Sequence, residues 1–217
     1  GNGGLTNLSS DTYVAWNWLA GTAFSNDASA TSVGSIDSAG QVNIKAGFSI
    51  IGYTGNATDG ATVAHGLSQT IEALIVKRRE NAAHWQDYNN FSGGGIDTLA
   101  SATFALEEGS SNVNNVNADG ETYIAYCFHS VEGYSKVGSY VGNGNANGTY
   151  VHTGFRPAWF MVKRTDTTNN WVIYDNKRSP INNVHTQLFA DLSNADASAG
   201  SALGMDFLST GLKMRGS

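Results

Sequence analysis

The chain repeats itself, and this repetition restricts its possible folds more than any other feature. The segment EALIVKR at residues 72–78 returns as AWFMVKR at residues 158–164, about 86 positions later. The same spacing relates two pairs of aromatic residues, Trp85 with Trp171 and Tyr88 with Tyr174. Landmarks that recur in the same order at a fixed spacing indicate that one supersecondary unit is used twice.

A third repeated block divides the chain into units. Residues 12–20 read TYVAWNWLA and residues 122–129 read TYIAYCFH, and the second of these copies stands at the end of a unit. We therefore interpret residues 1–46 as the terminal strand of a preceding unit plus a connector. Residues 47–133 form repeat unit one. Residues 134–217 form repeat unit two, which lacks its closing strand.

The third block has the periodicity of a β-strand. The large apolar residues Val14, Trp16 and Trp18 alternate with Tyr13 and with smaller or polar residues. This two-residue period places the large side chains on one side of an extended chain. The copy at residues 122–129 alternates in the same way, which predicts a strand with one large apolar face lying on a sandwich core.

The composition favours short strands joined by tight turns. Only 14% of the residues are charged, 26 are Gly, and turn dipeptides such as Asp59-Gly60 and Asp119-Gly120 recur along the chain. Gly, Ser, Thr and Asn disfavour helix interiors, whereas Gly and Asn suit tight turns. The sequence therefore predicts an all-β fold with very little helix, an antiparallel β-sandwich of jelly-roll or concanavalin-like type built from repeated units. Residues 184–190 are the one stretch where we expect a short turn of helix.

Charge and hydropathy exclude several classes of partner. The formal net charge is −6, which argues against a nucleic-acid partner, because phosphate binding needs a basic surface. No apolar run reaches the roughly 20 residues of a membrane span, so we expect no membrane insertion. The single cysteine, Cys127, rules out an internal disulfide.

Residues with catalytic or metal-binding chemistry do not form a convincing group. The adjacent carboxylates Glu107 and Glu108 would face opposite sides of a strand, whereas a glycosidase needs two carboxyl groups facing one bond. The five histidines lack the spacing of a metal site. We therefore expect no enzymatic activity, no cofactor and no metal. Asn and Asp runs at residues 112–119 and 143–147 leave weak calcium binding open, beside their reading as turns.

The repeated aromatic residues have two readings. Flat rings beside carboxylates suit the recognition of a sugar, which stacks on the ring and donates hydroxyl hydrogen bonds to the acid. The candidate carbohydrate-binding residues are Trp85, Asp87, Tyr88, Trp171, Tyr174 and Asp175. A tryptophan that recurs in both units more often fills a recurring hole in the core, so the exposure of these rings decides between the readings.

Several sequence blocks, taken in their order along the chain, suggest a family. YVAWNWLAG, GFSIIGYTGN, ALIVKRR, ETYIAYCF and TGFRPAWFMVKR follow one another between residues 13 and 164. Together they resemble a repeated, uncharacterised domain of tail and virion-associated proteins of marine phages and cyanophages. The resemblance implies a concanavalin-like β-sandwich, a virion or extracellular location, and other virion proteins as partners. It implies no catalytic residues.

These observations lead to one expected function and two alternatives. We expect a non-enzymatic structural protein of a phage tail or fibre-like surface appendage, with host-surface glycans as a further contact. The alternatives are a carbohydrate-binding, lectin-like module and a glycoside hydrolase or lyase. The segment with Tyr13, Val14, Trp16 and Trp18 is the predicted assembly strand, because it has the sequence of the closing strand that unit two lacks. It could fill that place within one chain, or from a neighbour, which would give a fibre or a closed oligomer.

Overall fold

The protein is an antiparallel all-β structure. The computed structural model describes residues 9–10, 12–80, 86–89, 96–106, 116–198, 200 and 204–216. Its elements in chain order are β1 (Thr22–Asn26), α1 (Ala28–Thr31), β2 (Ser38–Asn43), β3 (Phe48–Thr54), β4 (Thr62–Ala64), β5 (Ala73–Arg78), β6 (Gln86–Asn89), β7 (Ile96–Leu99), β8 (Thr103–Leu106), β9 (Thr122–Phe128), β10 (Tyr150–His152), β11 (Trp159–Val162), β12 (Val172–Asp175), β13 (Thr186–Phe189), β14 (Ala197–Ser198), β15 (Met205–Leu208) and β16 (Gly211–Met214). The predicted all-β fold with very little helix is confirmed.

Unit one is built around β9, which lies in the middle of a six-stranded sheet. The sheet has the order β1-β2-β3-β9-β5-β6, so β9 pairs with β3 on one side and with β5 on the other. Ala125 of β9 stands opposite Ile51 and Val76 at once. A second sheet, β4-β8-β7, supplies Val63, Phe104 and Leu106 to the same core. The core therefore lies between two sheets, as in a β-sandwich.

The side of β9 that faces the core differs from the prediction. The buried residues are Tyr123, Ala125 and Cys127, whereas the larger set of Ile124, Tyr126 and Phe128 is only half-buried on the other face. Tyr123 stacks on Tyr53 with ring centroids 5.1 Å apart. The next two inward-facing residues, Ala125 and Cys127, are small and leave room for the side chains of the opposite sheet. Packing volume, and not hydrophobicity, therefore decided which face of β9 lies toward the core.

Two of the predicted tight turns form in the structure. Asp59-Gly60 and Asp119-Gly120 both form turns, with φ near 71° at each glycine. In β2, a Cβ atom at Gly40 would stand 1.9 Å from the carbonyl oxygen of Ile50. Only glycine therefore allows β2 to approach β3 at this point.

Unit two repeats the strand pairing of unit one. In unit one Leu74 of β5 pairs with Tyr88 of β6, and in unit two Phe160 of β11 pairs with Tyr174 of β12, which are the positions matched by the repeat. The small sheets also agree, since β4-β8-β7 and β10-β16-β15 have the same antiparallel order. The sequence repeat is therefore a repeat of strand register.

Unit two also differs from unit one, and one prediction needs correction. Before unit one, β1 pairs with β2 and β2 pairs with β3, so residues 22–43 extend the sheet of unit one. Residues 186–189, where a turn of helix was expected, form β13, which pairs with β12 and β14. Cross-strand hydrogen bonding outweighs the weak helix preference of so short a segment. Among the described residues of unit two there is no counterpart of β9, and β11 is an edge strand.

His65 provides a pH test of the unit-one core. Its imidazole is fully buried, with Nε2 3.1 Å from the Ala100 carbonyl oxygen and Nδ1 accepting from the Leu67 amide at 3.2 Å. Burial lowers the pKa of this ring from its usual 6.5, so the folded chain keeps it neutral where the unfolded chain takes up a proton. Stability should therefore fall as the pH falls through about 6.5.

We expect His65→Asn to be less stable than the wild type at neutral pH but to lose less stability between neutral and mildly acidic pH. Urea denaturation at several pH values measures both quantities. His152→Asn is the matched control, because this ring is exposed. If the stability of His65→Asn depended on pH as steeply as that of the wild type, His65 would not be the source of the pH dependence.

Candidate functional site

The hairpin β11–β12 carries the predicted carbohydrate-binding residues of unit two. Trp171 directly precedes β12, and Tyr174 and Asp175 are its last two residues. Because neighbouring residues of a strand point to opposite faces, Tyr174 and Asp175 cannot serve one surface together. In unit one, Trp85 and the side chains of Asp87 and Tyr88 lie outside the described residues, as do Glu107 and Glu108.

Tyr174 belongs to the core of unit two. It is 5% exposed and packs in a cluster with Val184, Met205, Phe207 and Leu212. Its hydroxyl accepts a hydrogen bond of 2.5 Å from Gln187 Nε2, and burial raises the pKa of this phenol. The predicted stacking role of Tyr174 is therefore wrong for this conformation, because a buried ring offers no face to a sugar.

Asp175 is also buried, and it holds an ion pair. Its Oδ2 accepts from Arg178 Nε at 2.6 Å, and its Oδ1 accepts from the backbone amides of Lys177 and Arg178, each at 2.9 Å. Burial alone would raise the pKa of this carboxyl, but these hydrogen bonds outweigh burial and hold the pKa below its ordinary value. The predicted role of Asp175 as a sugar acceptor is wrong as well, because its oxygens are already engaged.

Arg178 is the residue that the sequence reasoning missed. Its guanidinium also donates from Nη2 to the Ile173 carbonyl at 3.0 Å and stands 5.6 Å from the centroid of the Trp16 ring. This distance is within the range of a cation–π contact. The spacing of an acid and an arginine three residues apart in the turn DNKR was the signal that could have identified the pair.

Trp171 is a predicted carbohydrate-binding residue whose side chain remains partly exposed to solvent. It is half-buried, and its backbone amide donates to Asp191 Oδ1 at 3.1 Å. At this end of the hairpin the backbone of Trp171, and not its ring, is therefore bonded to a carboxylate, which is Asp191 and not Asp175.

A cavity of about 290 Å³ opens on the inner side of β11. Val162 of β11 and Tyr174 of β12 form part of its wall, together with Tyr140, Met205 and Met214. A second, shallower depression of about 430 Å³ in unit one contains Asp27 and Asp37. The backbone amides of Ser29 and Ala30 bind the Asp27 carboxylate, and that of Ala28 binds Asp37. These two acids therefore order the start of α1.

The predicted assembly strand lies against unit two but forms no strand. Residues 12–20 have no ladder in the structure, which corrects the prediction of a strand over Tyr13, Val14, Trp16 and Trp18. Val14 and Trp16 are half-buried, and Tyr13 is exposed. The Trp18 ring stands edge-on to Trp159 with centroids 5.7 Å apart, and 6.4 Å from Phe48. The segment therefore links the outer faces of both units.

The groups that could bind metals or act as nucleophiles serve the fold. In the part of the chain that the structure describes, no three His, Cys, Asp or Glu side chains cluster as a metal site would need. Burial raises the pKa of the Cys127 thiol to about 12, which disfavours its reactive thiolate. In the loop 143–147, Asn143 Oδ1 accepts from the Asn145 amide at 3.2 Å and Asn145 Oδ1 from the Asn147 amide at 2.8 Å. These oxygens support turns.

Fold and site together define the class of protein, an antiparallel all-β sandwich in which the strand pairs β5–β6 and β11–β12 share one register. The profile of one family, a domain of unknown function named DUF7483, matches residues 2–217, so the chain belongs to this family. The predicted kinship with an uncharacterised domain is thereby confirmed, whereas no finding connects that family with tail or virion proteins. Neither the comparison with curated proteins nor that with solved structures gave a match. No described helix has the length and apolar character needed to cross a membrane.

The ion pair of Asp175 and Arg178 gives a stability prediction. We expect Arg178→Met to destabilise the protein by about 3–5 kcal/mol, because it leaves a buried carboxylate without its cation. Chemical denaturation measures the change. Arg164→Met is the matched control, since both Arg164 and its partner Asp166 are exposed, and it should change little. Equal effects of the two substitutions would contradict a structural role for the Asp175 pair.

Proposed function

We propose that the chain is a non-catalytic structural module, a building block of an extracellular, fibre-like assembly. The observation that carries the proposal is the repeated strand register. The cross-strand pair of Leu74 with Tyr88 in unit one corresponds to the pair of Phe160 with Tyr174 in unit two. Proteins that repeat one supersecondary unit gain length by adding further copies, because each copy packs against its neighbour. A chain with this property suits mechanical display more than the shaping of one reactive site.

The ion pairs formed by the charged side chains support the same function. Arg178 is bound to Asp175, Arg78 Nη2 lies 2.6 Å from Glu121 Oε1, and Arg215 Nε lies 2.7 Å from Asp206 Oδ2. Each of these pairs joins neighbouring strands or turns. They therefore stabilise contacts between strands or within a turn, and none of these three pairs presents two free carboxylates toward one point.

The sequence resemblance suggests the setting of such a module. Tail and virion-associated proteins work outside the cell, and the net charge of −6 on this chain favours solubility there. We propose a phage tail or a similar surface appendage as the setting, and copies of the chain together with other virion proteins as its partners.

Self-association is the expected behaviour. Mass photometry and light scattering over a wide range of protein concentration should show oligomers that grow with concentration, and negative-stain electron microscopy should show elongated particles. A monomer at every concentration, with no growth on prolonged incubation, would contradict a building block that assembles by itself.

A carbohydrate-binding module is the second candidate, and Trp171 is the observation that favours it. Its side chain is half-buried, and its backbone amide is bonded to Asp191, a carboxylate of the kind that can accept hydrogen bonds from sugar hydroxyls. The hydrolase or lyase alternative has no comparable support among the described residues.

Glycan binding separates the two candidates. If the protein is a lectin-like module, an array of surface polysaccharides should give binding that Trp171→Ala weakens at least about tenfold, as expected for the loss of a stacking ring. Tyr134→Ala is the matched control, because this ring is exposed elsewhere on unit two. Circular dichroism confirms that both variants fold. Binding that survives Trp171→Ala would exclude the Trp171 site, and release of cleaved sugars would favour an enzyme.

A further inference from the structure

Three buried hydrogen-bond donors lie without an acceptor at the outer face of the hairpin β11–β12. They are the indole N–H groups of Trp16 and Trp159 and the Nη1 of Arg178, and none has a hydrogen-bond partner among the residues that the structure describes. Asp196 Oδ2 stands 4.0 Å from Nη1, which is beyond hydrogen-bond distance. A buried donor without an acceptor costs free energy, so a group of three needs a physical reason.

The three donors belong to one group of side chains. Trp159 stands opposite Asp175 in the register of β11 and β12, so these two side chains lie on the same face of the sheet. Asp175 holds Arg178 by the ion pair, and the guanidinium carbon of Arg178 stands 5.6 Å from the centroid of the Trp16 ring. The Trp18 ring stands edge-on to Trp159. Register and contacts therefore place all three donors around one point.

Arg178 is the strongest of these donors. Its side chain is only 9% exposed, although it carries a full charge. Its Nε is bonded to Asp175 and its Nη2 to the Ile173 carbonyl oxygen. Because the guanidinium is planar, these two bonds also fix the direction of Nη1. A charged donor that is already held in one direction binds an incoming acceptor at little cost in side-chain entropy.

Residues 12–20 cover the three donors, but no sheet holds this segment. The segment pairs with no described strand, and Asn43 Nδ2 anchors it by a hydrogen bond of 2.9 Å to the Leu19 carbonyl oxygen. The Trp18 ring is 43% exposed. The rings of the segment can therefore move aside without breaking a backbone ladder, and this movement opens a path to the donors beneath them.

The charges around the donors favour a neutral ligand. Asp175 already balances the charge of Arg178, and Asp196, which is 53% exposed, adds a further carboxylate. An anionic ligand would meet this carboxylate at close range, whereas a hydroxyl group can donate to it. Hydroxyl oxygens also accept from N–H groups, and a sugar ring has an apolar face that stacks on an exposed indole such as Trp18.

We propose that this face binds a neutral oligosaccharide. One sugar ring stacks on Trp18. The hydroxyl oxygens of the chain accept hydrogen bonds from the indoles of Trp16 and Trp159 and from Arg178 Nη1, and a hydroxyl hydrogen is donated to Asp196. A site built in this way selects its ligand through donors that stay unpaired when the ligand is absent.

This inference goes beyond the proposed structural function, and it does not use the ring on which the second candidate function depends. Trp159 and Asp175 lie at one end of the hairpin, whereas Trp171 precedes Val172, which pairs with Val162 at the other end. The two carbohydrate sites can therefore be tested separately.

The indole N–H groups report binding directly in a proton–nitrogen correlation spectrum of the wild-type protein, since the chain has only five tryptophans. On addition of cellohexaose, mannohexaose or neoagarohexaose, we expect the Trp16 and Trp159 signals to move downfield, because these protons gain an acceptor. The Trp171 signal should stay in place. This measurement needs no variant, so it decides the question even if a substitution prevents folding.

Two substitutions separate the stacking ring from the donors. Trp18→Ala removes the ring, and Trp159→Phe removes an N–H group while keeping an aromatic side chain. Calorimetric titration with the hexasaccharide that binds should show affinity weakened at least about tenfold by either substitution. Trp171→Ala is the matched control and should keep the wild-type affinity. Circular dichroism confirms that each variant folds.

Three results would overturn the site. They are Trp16 and Trp159 signals that do not move with any of the three hexasaccharides, wild-type affinity in both Trp18→Ala and Trp159→Phe, and affinity lost only in Trp171→Ala. The last result would place the sugar at the site of the second candidate function. Self-association is measured independently by mass photometry, so its absence would count against the proposed structural function alone.

Discussion

The pairing of one central strand with two neighbours is the interaction on which the structure depends. β9 joins β3 to β5, and through β3 it also holds β1 and β2 in the sheet. Ala125 and Cys127 are fully buried on its inner face, where their small volume admits the opposite sheet. Among the described residues, unit two has no strand in the place of β9. Its sheet has four strands, β11 lies at the edge, and a cavity is lined by Val162 and Tyr174.

The outer faces of the two units meet through aromatic rings. Phe48 and Phe128 contact each other with centroids 4.8 Å apart, and Trp18 bridges from Phe48 to Trp159. The large apolar residues that were expected in the sandwich core therefore cover this outer face. Burial of such rings stabilises by removing apolar area from water, which the half-buried face of β9 would otherwise expose. The N-terminal segment thus contributes to packing although it forms no strand.

A structural function accounts for several features at once. The repeated register favours addition of units, the buried pair of Asp175 and Arg178 stiffens a hairpin turn, and the Cys127 thiol is held in its unreactive form. The DUF7483 family model matches residues 2–217, and the function of this family is unknown. The fold by itself does not establish an activity, so the proposal rests on the repeat and on how the charged groups are used.

The sequence by itself determined the all-β class, the scarcity of helix and the Asp-Gly turns, because local backbone preference decides these features. Only the tertiary structure decided which face of β9 is buried, that Tyr174 and Asp175 lie inside, and that residues 22–43 extend the sheet of unit one. Periodicity shows that a strand has two faces, but which face is buried depends on volumes contributed by distant strands. The role of Arg178 in the fold could be recognised only from the structure, because its partners Asp175 and Trp16 come together only after folding.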